Sequence, residues 1–90
     1  DELIIRKQDI HNMPATMQPV ALVFMDAPYK TPLTDQALLQ LDKQGWISEE
    51  TLLVIEVSSK EKWQAPFEVI ELDQRKYGAA QFFFLKKKTV

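Results

Sequence analysis

The six residues Val20-Ala21-Leu22-Val23-Phe24-Met25 form an unbroken apolar run that stops at Asp26. The run is too short for an ordinary helix, and it lacks the alternation of a strand with one wet face. An uninterrupted apolar stretch of this length suits a parallel strand covered on both sides. A parallel strand needs a crossover to its neighbour, and the following residues supply one. Pro32 and Thr34 open a helix over 35–44, with Thr34 as its N-cap. Ala37, Leu38 and Leu41, joined by Leu39, form its apolar stripe, and Gly45 ends it in the left-handed conformation. Leu52 to Val57 is a second buried strand. Strand, helix and strand make a βαβ unit with a right-handed crossover.

Ahead of this unit, Leu3-Ile4-Ile5-Arg6 reads as a short strand, and Asn12, Pro14 and Pro19 place a loop over 11–19. Behind it, Ser58 to Gln64 is polar and has room for a helical turn. Phe67 to Asp73 is strand-like, but Glu68 and Glu71 interrupt it, which suggests a sheet edge. Ala80 to Leu85, with Phe82-Phe83-Phe84, is the most apolar strand and belongs inside the sheet. The expected fold class is α/β: a mixed sheet, parallel in its first part, ending in an antiparallel pair.

Composition narrows the chemistry. Ninety residues make a single domain or part of one. The formal net charge of -2 excludes a strongly basic nucleic-acid arm, though not a local basic patch. The chain has no cysteine, so disulfides, thiolate zinc sites and cysteine nucleophiles are excluded. His11 is the single imidazole, and it reads as a loop residue rather than a general base. No apolar run approaches the roughly 20 residues of a membrane-spanning helix. The chain opens Asp-Glu rather than with Met, as a fragment or a processed chain would. Glu56 ends a buried strand and reads as a helix-dipole or hydrogen-bonding residue rather than a catalytic one, at an edge that lines the active-site side of such a fold. Trp46 and Trp63 read as packing residues, and Lys86-Lys87-Lys88 as a solvated tail.

The segment with chemical content is Asp26-Ala27-Pro28-Tyr29. Ligands of open α/β sheets bind beyond the carboxyl ends of the strands, where this tetrapeptide falls. An exocyclic amino group suits it as substrate. The Asp26 carboxylate accepts one N–H, and the Ala27 carbonyl, held by the following proline, accepts the other. With both protons engaged, the nitrogen lone pair faces an electrophile. The Tyr29 ring stacks on a planar base, a contact worth about 1–3 kcal/mol, once that base has left its helix. The same four residues could equally be a plain turn after a strand.

Asp26-Ala27-Pro28-Tyr29 resembles motif IV, Asp-Pro-Pro-Tyr, of amino-group methyltransferases that use S-adenosylmethionine. The order of the remaining segments is similar to the C-terminal half of RsmD-type ribosomal RNA guanine-N2 methyltransferases. These segments are Ala37-Leu38-Leu39-Gln40-Leu41, Gly45-Trp46-Ile47, Leu53-Val54-Ile55-Glu56 and Arg75-Lys76-Tyr77-Gly78. The resemblance implies the C-terminal half of a Rossmann-like fold, with residues 1–90 a single partial domain. It implies Asp26, Ala27, Pro28 and Tyr29 as catalytic residues, with Asp9 and Ile10 at the adenine of S-adenosylmethionine. It further implies a guanine of small-subunit ribosomal RNA as substrate and a cytoplasmic location. DNA or protein amino-methyltransferases share the motif, and a non-catalytic interaction domain would need only the turn.

Two positions depart from the family pattern. Ala27 replaces the first proline, and Lys30-Thr31-Pro32-Leu33 stands where relatives often carry glycine. The family's glycine-rich cofactor loop has no counterpart, because Gly45 and Gly78 are the only glycines. The family's sheet order also puts two further strands between Leu3–Arg6 and Val20–Met25. Their absence leaves Val20–Met25 on an open edge. Leu3–Ile5 would then fold back on that edge or swap into a neighbour, and a homodimer is the expected outcome.

Overall fold

In the computed structural model, residues 2–5, 19–26 and 33–88 are described. Five strands and one helix follow in the order β1 (Glu2–Ile5), β2 (Leu22–Asp26), α1 (Leu33–Lys43), β3 (Leu52–Ser58), β4 (Val69–Tyr77) and β5 (Ala80–Lys87). They form a single sheet of order β1-β2-β3-β5-β4. β1 and β2 pair in parallel, as do β2 and β3, while β5 runs antiparallel to both β3 and β4. The architecture is therefore the expected mixed α/β sheet, with the phenylalanine-rich β5 inside and β4 at an edge.

Residues that pair in register on neighbouring strands share a face of the sheet. Val23 and Met25, Leu53, Ile55 and Val57, and Leu85 all point to one face. There they join Ala37, Leu38 and Leu41 of α1 in a single buried core, with Ile47 and Val20 at its margin. The stripe read from the sequence is the face that α1 buries, and Leu39 lies outside it, 48 % exposed. The opposite face carries Leu22, Phe24, Leu52, Val54, Phe82 and Phe84. Among the described residues no helix covers it.

The helix end is built as its glycine requires. Gly45 has φ 89°, its N–H donates to the Asp42 carbonyl at 3.2 Å, and the Trp46 N–H reaches back to the Leu41 carbonyl at 3.0 Å. These two bonds are the Schellman pair that satisfies the last carbonyls of a helix. The helix start differs from expectation. It begins at Leu33, so Thr34 lies within the first turn rather than capping it. N–H groups of a first turn have no intrahelical partner to lose, so extending the helix by two residues costs little.

Thr51 ties α1 and the two inner parallel strands together. It is fully buried, its hydroxyl donates to the Val20 carbonyl at 2.6 Å, and it accepts the Ser48 N–H at 3.0 Å. The backbone adds Val20 N–H to Trp46 carbonyl and Leu52 N–H to Ala21 carbonyl, at 3.1 and 2.9 Å.

Several expectations are corrected. Ser58 to Gln64 forms no helix; it makes a single turn, in which the Glu61 N–H donates to the Ser58 carbonyl at 3.0 Å, and the buried Gln81 pins that turn from β5. Its amide donates to the Ser58 and Glu61 carbonyls, and its carbonyl accepts from Gln74. β4 starts two residues later than Phe67 and runs on to Tyr77. Polar residues are tolerated there because an edge strand is wet along its outer side. Its register shifts between Glu71 and Asp73, which leaves Leu72 without a partner in the ladder. Lys86 and Lys87 are not a solvated tail but the last residues of β5. Lys87 bonds Asp42 of α1 at 2.6 Å, and both side chains are about three-quarters buried.

The open edge expected along β2 is also filled. β1 lies directly against it, Glu2 to Ile5 pairing with Leu22 to Met25. Of the two arrangements expected for this strand, folding back within the chain is the one seen.

Candidate functional site

The parallel register of β2 and β3 ends by setting Asp26 beside Glu56. Glu56 pairs in turn with Phe82 of β5, and Phe82 with Arg75 of β4. A row of four side chains, Asp26, Glu56, Phe82 and Arg75, thus crosses the face opposite α1 at the carboxyl ends of β2 and β3. This is the end of a parallel sheet at which ligands collect.

The row has two unlike halves. At the β4 edge, Arg75 Nε bonds the Asp73 carboxylate at 2.8 Å, and the Gln74 N–H donates to the same carboxylate. These contacts hold Asp73 below the usual carboxylate range, chiefly through the Arg75 bond. Tyr77 packs edge-on against Phe82, with ring centroids 6.0 Å apart. The other half is acidic. Asp26 is exposed and Glu56 half-buried. Glu56 is pushed above the ordinary glutamate value, first by burial and then by the charge of Asp26. The guanidinium of the row does not offset this, because Asp73 already engages it.

Of the residues expected to act, Asp26 stands where the sequence placed it, at the last position of β2. Ala27, Pro28 and Tyr29 lie outside the described residues, as do Asp9, Ile10 and His11. Glu56 was read as a hydrogen-bonding residue, yet among the described residues no donor faces its carboxylate. Its link to Asp26 was missed. The signal was available: each ends an apolar strand of the same βαβ unit, and parallel strands with equal apolar lengths bring their terminal acids level.

The described residues do not form a cradle for a nucleoside cofactor. Gly45 closes α1, and Gly78 forms the β4–β5 hairpin with φ 58°. Neither stands in a strand-to-helix turn, where backbone amides could gather around a ligand. Trp46 and Trp63 pack against the core as read, and the Trp63 indole also donates to Asp35 in the first turn of α1 at 3.0 Å. The only helix among the described residues is too short and too polar to cross a membrane.

Comparison with known proteins places these features in context. The model of a family described as "Conserved hypothetical protein 95" matches residues 4–86. No curated protein matches the chain. Among solved structures, a Haemophilus influenzae protein with a provisional methylase assignment aligns over 90% of this chain and 50% of its own length, at 22% identity and a TM-score of 0.69. An Escherichia coli protein with a provisional methyltransferase assignment aligns over 78% of this chain and 39% of its own, at 20% identity and a TM-score of 0.65. A conserved hypothetical protein of Streptococcus pyogenes aligns over 91% of this chain and 50% of its own, at 17% identity and a TM-score of 0.70. At these identities the likeness is one of fold, and the chain spans half or less of each structure.

Proposed function

Because the chain belongs to the conserved hypothetical protein 95 family, we propose that it forms the amine-binding part of a methyltransferase. The proposed substrate is the exocyclic N2 of a guanine in small-subunit ribosomal RNA, and the proposed methyl donor is S-adenosylmethionine. The observation that carries this reading is the position of Asp26. It is exposed at the carboxyl end of a parallel strand flanked on both sides, and it opens the Asp-x-Pro-Tyr segment. Two solved structures of the same fold that bear methylase or methyltransferase assignments support it.

Each residue then has a stated task. Asp26 accepts one proton of the amino group and orients its lone pair. The Ala27 carbonyl accepts the second, and the Tyr29 ring stacks on the base after it leaves its helix. The donor supplies an electrophilic methyl group. The ninety residues contain no glycine-rich loop to hold its methionine and ribose, and Asp9 and Ile10 would meet only its adenine.

The test uses the whole protein that carries this chain, with small-subunit ribosomal RNA and a radiolabelled methyl donor. Asp26→Ala should reduce single-turnover transfer by about 10²–10³, the usual consequence of losing one well-placed polar group at a reacting centre. Donor binding measured by calorimetry should stay within a few-fold of wild type. Transfer that survives Asp26→Ala within a few-fold would remove Asp26 from the amine site.

A further inference from the structure

The one half-buried acid at the site has no structural partner among the described residues. Gln81, the buried polar residue on the neighbouring strand, spends its amide on two carbonyls and its oxygen on Gln74. Glu56 has nothing comparable. Its neighbours across the sheet are the like-charged Asp26 on one side and the Phe82 ring on the other. Among the described residues its carboxylate has neither a hydrogen-bond donor nor a cation. A carboxylate in such a place destabilises the free protein unless it is turned outward or neutralised, since burial favours the uncharged form. Donors that arrive with a ligand would relieve both the desolvation and the crowding.

Register defines what those donors must look like. Neighbouring strands lie about 4.8 Å apart, and side chains in register leave the sheet in parallel. Two carboxylates at adjacent strand ends are therefore a pair of acceptors with no donor between them. Guanine meets that pair with two adjacent donors, N1–H and the N2 amino group. Adenine and cytosine each set a ring-nitrogen lone pair beside their amino group, and that lone pair would face a carboxylate. Selection by an unfavourable contact of this kind is a common source of specificity.

We propose that Glu56 is a specificity-determining residue of the amine site, its carboxylate accepting the N1–H of the guanine whose N2 amino group is held at Asp26. This rests on the guanine reading above.

The experiment uses the whole protein and two RNAs that differ only at the target base. One carries guanine and the other 2-aminopurine, which keeps the 2-amino group but has an unprotonated N1. Both are present in one competition reaction, so the ratio of kcat/KM values does not depend on the fraction of active enzyme. Wild type should prefer guanine strongly. Glu56→Gln should narrow that preference by about tenfold or more, because a carboxamide can turn its NH2 toward an unprotonated N1. Asp26→Ala should slow both RNAs and leave the ratio close to wild type. An unchanged ratio in an active Glu56→Gln enzyme would overturn the role of Glu56 and leave the proposed function standing. If the wild-type protein fails to methylate the guanine RNA at all, the function reading falls first.

Discussion

Replacing Thr51 by Val tests how β2 and β3 are held in register. The substitution keeps the branched shape and removes only the hydroxyl. Thr51 is fully buried, and its hydroxyl donates at 2.6 Å to the carbonyl of Val20, itself 8 % exposed. Leaving that acceptor without a partner costs about 1–3 kcal/mol. The Ser48 N–H loses its acceptor as well, but Ser48 is half-buried and water can replace part of the bond, so about 0.5–1.5 kcal/mol is added. The expected loss is about 2–4 kcal/mol, a large share of the roughly 5–15 kcal/mol typical of a domain. In a domain of this size each kcal/mol moves Tm by about 4–8 °C, so the midpoint should fall by about 8–32 °C.

Urea unfolding followed by the fluorescence of Trp46 and Trp63 gives the measurement. Thr51→Ser is the control, since it keeps the hydroxyl and loses one methyl group, worth about 0.8 kcal/mol. The expected order of stability is wild type, then Thr51→Ser, then Thr51→Val, with similar urea dependence throughout. If Thr51→Val equals wild type or exceeds Thr51→Ser, packing rather than the hydroxyl holds this junction, and the reasoning fails. The consequence reaches the site, because the pairing of Leu22 with Leu52 is the same register that sets Asp26 beside Glu56.

Three further outcomes are expected. Glu56 has a folded pKa above its ordinary 4.5, through burial and the charge of Asp26, so its protonated form favours folding and that contribution is lost as pH rises through the raised value. Glu56→Gln should therefore unfold at higher urea than wild type at pH 7, with the two curves converging as the pH falls toward 4.5; parallel curves at both pH values would contradict the assignment. Gly78→Ala should cost about 1–2 kcal/mol from the positive φ alone, since an added Cβ would meet nothing within 4 Å, and a larger loss in thermal melting would point to a contact the geometry does not contain. The ninety residues by themselves should bind S-adenosylmethionine more weakly than the micromolar range in calorimetry, and micromolar affinity would show that a cradle exists without a glycine-rich loop.

What the sequence determined alone is the local grammar of the chain. The unbroken Val20–Met25 run, the stripe of Ala37, Leu38 and Leu41, and Gly45 behind it specify a strand, a helix and its end. Each depends on residues within a turn or a strand of one another. Phe82-Phe83-Phe84 declared an inner strand for the same reason, since so apolar a segment must be covered by neighbours. Asp26 was legible because it ends an apolar run and opens a recognisable tetrapeptide.

Tertiary structure decided the rest, through contacts between distant residues. Nothing near Thr51 in sequence announces that its hydroxyl will meet Val20, and nothing near Gln81 announces its bonds to Ser58 and Glu61. The extent of β4 depended on its partner, because an edge strand accepts polar residues that a local reading takes for a loop. The place of β1 beside β2 depended on which backbone edge was there to pair with. The meeting of Asp26 and Glu56 belongs to the same class. Each acid reads as an ordinary strand terminus, and only the strand register, set by hydrogen bonds between segments about 30 residues apart, makes them neighbours that share one charge problem.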